Sequence, residues 1–86
     1  MIENIPGEEA AKAIGKYIVL YMRGIGKYVG KLLSVDMKAD DDSNGVMVYE
    51  VMSGPHKGKV REGSFVKGRP MDVYGEESLI KALLKK

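Results

Sequence analysis

Short apolar runs separated by glycine-rich breaks dominate the chain. Tyr17-Ile-Val-Leu-Tyr-Met22 is an uninterrupted β-branched and aromatic run, which predicts a strand apolar on both faces. Gly24-Ile-Gly26 predicts a turn. Tyr28 to Met37 follows as a longer second strand. Strict alternation puts Val29, Leu33, Val35 and Met37 on one of its faces, and Tyr28, Leu32, Ser34 and Asp36 on the other. Gly30 inside this run predicts a bulge or sharp bend. Lys38 to Gly45 reads as a polar loop, with Asn44-Gly45 suited to a tight turn. Val46 to Met52 predicts a third strand and Ser53 to Gly58 a loop. Lys59 to Val66 and Met71 to Tyr74 predict two more strands around Lys67-Gly-Arg-Pro70.

Helical patterns flank the strands. Pro6, Glu8 and Glu9 suit a first turn, Ala10, Ala11, Ala13 and Ile14 supply propensity, and Gly15 can end the segment. From Glu76 onward, Leu79, Ile80, Leu83 and Leu84 form one apolar stripe, with Lys85 and Lys86 in the last turn. The expected order is helix (1–15), five strands (16–75), helix (76–86), all in one domain over 1–86. The fold class is mainly β. Strands this short, with a glycine inside the longest, predict a small closed barrel of five strongly bent antiparallel strands rather than a flat sheet.

Composition narrows the function. At 86 residues, 44% hydrophobic and 30% charged, the chain is an ordinary globular sequence with a thin core. It has no cysteine, which removes disulfides, thiolate nucleophiles and cysteine-based zinc sites, and fits a reducing, cytoplasmic setting. The longest apolar run, Tyr17 to Met22, is too short to span a bilayer, and Met1-Ile-Glu-Asn4 lacks the form of a signal peptide, so no membrane association is expected. The net charge of +2 hides segregation. Residues 12–31 carry Lys12, Lys16, Arg23, Lys27 and Lys31 with no acid. Residues 54–69 carry Lys57, Lys59, Arg61, Lys67 and Arg69 against Glu62 alone. Acids collect instead at Glu3, Glu8 and Glu9, and at Asp36 and Asp40 to Asp42.

No catalytic constellation is visible. His56 is the only histidine and sits in a Gly-Pro-Lys-Gly loop, no serine has a glycine-rich elbow, and Asp40 to Asp42 lie in a polar loop unsuited to a tuned acid or base. A binding module without a cofactor is expected, not an enzyme. Asp40, Asp42 and Asn44 followed by Gly45 match the opening of a calcium loop, but its twelfth position is Val51 where a glutamate would close the site. Tyr21, Arg23, Lys27 and Tyr28, with Lys57, Lys59 and Arg61, form the aromatic and basic mixture that single-stranded nucleic acid favours. Barrel packing would use the same tyrosines.

Two family resemblances bear on this choice. Tyr28-Val-Gly30-Lys-Leu32-Leu-Ser-Val35-Asp36-Met-Lys-Ala-Asp40 resembles the first motif of the Sm-like (LSm) proteins, matching at Gly30, Leu32 and Asp36. Val66-Lys67-Gly68-Arg69-Pro70-Met71 resembles the second, apolar-Arg-Gly-x-x-apolar, with lysine for arginine. The resemblance implies an SH3-like barrel, homo-oligomeric rings joined by edge strands, and uridine-rich single-stranded RNA at the ring's pore. It would place the RNA pocket at Asp36, Lys38, Asp40, Lys67 and Gly68, with Lys38 stacking on a base and Lys67 supplying the cation. Asp40 stands where the family has asparagine, and an ionised carboxylate accepts hydrogen bonds but donates none. Gly54-Pro-His-Lys-Gly-Lys59 resembles the short KOW element, which implies a basic RNA-contacting turn. A protein-interaction adaptor on the same SH3-like barrel is the remaining expectation, with a protein partner in place of RNA.

Overall fold

A computed structural model describes residues 2–75. The helix expected over 76–86 lies outside the described residues. The chain is mainly β. Its strands are β1 (Ile2–Pro6), β2 (Tyr17–Met22), β3 (Gly26–Asp36), β4 (Asn44–Val51), β5 (Val60–Val66) and β6 (Pro70–Tyr74). They make one antiparallel sheet in the order β1-β6-β2-β3-β4-β5.

The N-terminal region differs from the expected helix. Residues Ile2–Pro6 pair along their whole length with β6, from Ile2 opposite Tyr74 to Pro6 opposite Pro70. The helical segment that follows is a 3-10 helix, Gly7–Ala13. Gly7, Ala10 and Ala13 are all buried, at i, i+3 and i+6. The stripe is carried by two 3-10 turns that meet at a kink at Glu9 (φ −110°, ψ 23°), where the backbone is not helical.

The strand bounds expected in the middle of the chain hold to within about two residues. Inside β3 the expected face assignment does not. Tyr28 and Leu32 face the core, and a register shift between Leu32 and Ser34 against β4 then reverses the alternation. Val35 and Met37 therefore turn inward, while Leu33 is 40% exposed. The bulge lies at Leu32/Ser34, not at Gly30. Gly30 serves close packing instead: a Cβ there would meet Leu20 Cδ1 and Tyr49 Cδ2 at 2.9 Å each. Asn44 and Gly45 open β4 and do not form the tight turn expected of them.

The sheet curls without closing. No strand pairing joins β1 to β5 among the described residues, which corrects the closed barrel. The curl brings β5 back toward β2, where Arg61 Nη1 lies 3.5 Å from Met22 Sδ. Its interior is one apolar cluster that includes Ile18, Leu32, Tyr49, Val51, Phe65 and Val73. Where the seam stays open, Ile18, Leu20, Met47, Phe65, Met71 and Tyr74 line a recess of about 350 Å³. Among the described residues, no helix is long and apolar enough to cross a membrane.

Candidate nucleic-acid interface

The β3–β4 loop (37–43) and the β5–β6 turn (67–69) meet at one end of the curled sheet. The Lys67 amide donates to the Ser43 carbonyl at 2.9 Å. The Lys67 ammonium donates to the Lys38 carbonyl at 3.0 Å and also to the Asp41 carbonyl. Asp36 Oδ1 accepts from the Lys38 amide at 2.9 Å, and its other oxygen lies 3.5 Å from Lys38 Nζ. Asp36, Lys38 and Lys67 are thus brought together, with the exposed Asp40 and Gly68 on the same loops. Lys67, however, uses its charge to tie the loops to each other. A lysine has three donors, and two of them are engaged on carbonyls.

Asp41 organises this loop and was not singled out by the calcium-loop pattern. Its Oδ1 accepts from the amides of Ser43 and Asn44, both at 2.9 Å. These bonds hold its carboxyl below the usual carboxylate range, with Lys67 adding a smaller effect. The Lys38 amide does the same for Asp36. The available signal was an aspartate two residues before a Ser-Asn pair, the pattern of an Asx turn. Lys38, Asp40, Asp41, Asn44, Val46 and Ser64 border a shallow recess of about 460 Å³ here. Among the described residues, no group of three or more His, Asp or Glu side chains is placed to hold a metal ion.

The opposite end is built by the β2–β3 hairpin and the β4–β5 loop. Met22 pairs with Gly26, so Arg23-Gly24-Ile25 is the hairpin tip, and positive φ at Gly24 (88°) and Gly26 (92°) makes glycine the fitting residue at both. Met22, Ile25, Pro55 and His56 border one small cavity, which places the tip against the loop. His56, expected as an exposed loop residue, is half-buried there. Segments 17–31 and 51–61 build this end, and neither contains an acid. Arg23, Lys27, Lys57 and Lys59 are exposed, and Arg61 is half-buried beside Met22. None of the five takes part in an ion pair among the described residues.

One member of the expected aromatic and basic patch is not on this surface. Tyr28 is 5% exposed, and its hydroxyl shares a 2.7 Å hydrogen bond with that of Tyr49. Burial, and then that bond, push the Tyr28 phenol up to about 12. Tyr21 is the reverse case. It is 73% exposed and stands directly opposite Lys27.

Compared with known family models, curated proteins and solved structures, the chain matches none.

Proposed function

We propose that this chain is a non-catalytic, RNA-associated binding module on an Sm-like variant of the SH3-like barrel, assembling through edge strands and contacting single-stranded RNA. The observation that carries the RNA half is the acid-free end, where five cations with no ion-pair partner among the described residues surround the hairpin tip and the 53–59 loop. Cations that no described acid pairs with are available to neutralise phosphates. The other end is poorer for this purpose, since Asp36 and Asp40 to Asp42 outnumber Lys38, Lys67 and Arg69, and Lys67 is held by carbonyls. The Sm-like half is supported by the strand order β6-β2-β3-β4-β5, in which β6 meets β2 at the single pair Tyr74–Tyr17, and by the register shift in the long β3.

Fluorescence anisotropy with a labelled uridine-rich oligonucleotide tests the reading. Binding that weakens linearly on a log–log plot against salt, with a slope near −0.7 per phosphate neutralised, is the expected result. No binding at low salt overturns it.

A second reading rests on β5. Its outer edge is unpaired among the described residues and carries Val60 at 61% exposure and Val66 at 43%. That edge suits a protein partner adding a strand. A protein recovered on this domain that survives nuclease treatment and is lost on charging Val60 would favour the adaptor.

A further inference from the structure

The chain has six aromatic residues, and the fold accounts for five of them. Tyr28, Tyr49 and Phe65 are buried in the core, and Tyr17 and Tyr74 are half-buried. Tyr21 alone is exposed, at 73%. It sits one residue before the end of β2 on the strand's outer face, since its neighbours Leu20 and Met22 pack against the core. Lys27 is its cross-strand partner and Arg23 follows two residues later at the tip. Directly opposite residues hold their Cβ atoms about 5 Å apart, so ring and ammonium form one unit on a rigid ladder.

We infer that Tyr21 and Lys27 form a stacking platform for one base of a single-stranded nucleic acid, whose backbone phosphates run over Arg23 and on toward Lys57 and Lys59. This rests on the RNA-associated reading above and assigns its contact surface to the hairpin end, away from the loops of Asp36 and Lys67. A protruding ring on a convex hairpin can take only a base that is free of its own stack, so duplex is excluded. Any base offers a π-face, so the platform is tolerant of sequence. Neither contact reads the 2′-hydroxyl, so single-stranded DNA of equal length competes.

The test uses the full chain and labelled oligouridylate, with its base-paired duplex as comparison. Tyr21→Ala is expected to weaken single-strand binding about ten-fold while leaving the thermal melt in place, because the side chain lies outside the core. Tyr21→Phe, which keeps the ring, weakens binding less. Lys27→Ala lowers the salt slope by about one phosphate, whereas Lys12→Ala, an equal charge change on the 3-10 helix, does not. The inference is overturned if wild type binds but Tyr21→Ala binds equally well, or if the loss is confined to Lys38→Ala. Either of these outcomes leaves the RNA-associated reading standing. Failure of the wild type to bind any oligonucleotide at low salt overturns both.

Discussion

Tyr28 and Tyr49 meet hydroxyl to hydroxyl inside an otherwise apolar core, with ring centroids 6.2 Å apart. Each phenol satisfies the other, and no buried side-chain polar atom among the described residues lacks a partner. Tyr28→Phe strands the Tyr49 hydroxyl and is expected to cost about 1 kcal/mol at neutral pH, read from urea midpoints. The pH dependence follows from the raised phenol. Below pH 10 both folded and unfolded chains keep the proton; between 10 and about 12 only the unfolded chain loses it. The contribution of Tyr28 is therefore full below 10 and fades as pH rises toward 12. The gap between wild type and Tyr28→Phe should narrow over that window, and a constant gap would contradict a phenol held neutral. The sequence places Tyr28 beside Arg23 and Lys27, which fits a surface patch and barrel packing alike; β4 decides for packing, with the ring pointing inward toward Tyr49. Tyr21, from the same expected patch, does lie on the surface, opposite Lys27 and near Arg23, which are its neighbours in sequence as well as in space.

At the scale of elements, local pattern located five strands, and the misses are those set by distant partners. β1 is five residues ending in Pro6, too short and too polar to announce itself, and it exists by pairing with β6, 64 to 72 residues away. Asn4 Nδ2 donating to Asp72 Oδ1 at 2.9 Å and Lys16 donating to Glu3 at 2.6 Å fasten it further. Pro6, Glu8 and Glu9 do mark a helical start, but the helix they start is held by packing on the β5–β6 turn. A Cβ on Gly7 would meet the carbonyl oxygens of Val66, Lys67 and Arg69 at 2.4, 2.7 and 2.8 Å. The Gly7 amide also donates to Arg69 at 3.0 Å. Backbone on three sides cannot give way as a side chain can, so Gly7→Ala should destabilise by roughly 3 kcal/mol in chemical denaturation. A loss below about 1 kcal/mol would mean the 3-10 helix shifts freely on its turn. The reversal of alternation at Leu32/Ser34 has the same origin: a bulge is a relation between two strands, and β3 alone does not encode it.

For the whole molecule, assembly turns on how the two flanks of the sheet that lack a partner among the described residues are satisfied. Six strands curl far enough to bury one core, but β1 covers the outer side of β6, and β5 has no partner along its other side among the described residues. Closure was expected from strand length and the inner glycine, and neither feature reports on whether the first and last strands meet. Exposed edges invite pairing with another chain, and natural sheets blunt them with charge. β5 carries one acid, Glu62, on its outward positions, between Val60 and Val66 at the two ends. If edge strands join copies, the mass by light scattering will be several times 9.5 kDa. Val60→Lys with Val66→Lys will return it to a single chain, because two ammonium groups at an apolar strand edge are costly to desolvate on pairing. Both side chains lie outside the core, so the thermal melt of the dilute variant should match wild type apart from the part that depends on concentration. A wild type that already runs as a single chain at high concentration would overturn assembly through the Val60–Val66 edge, and with it the ring.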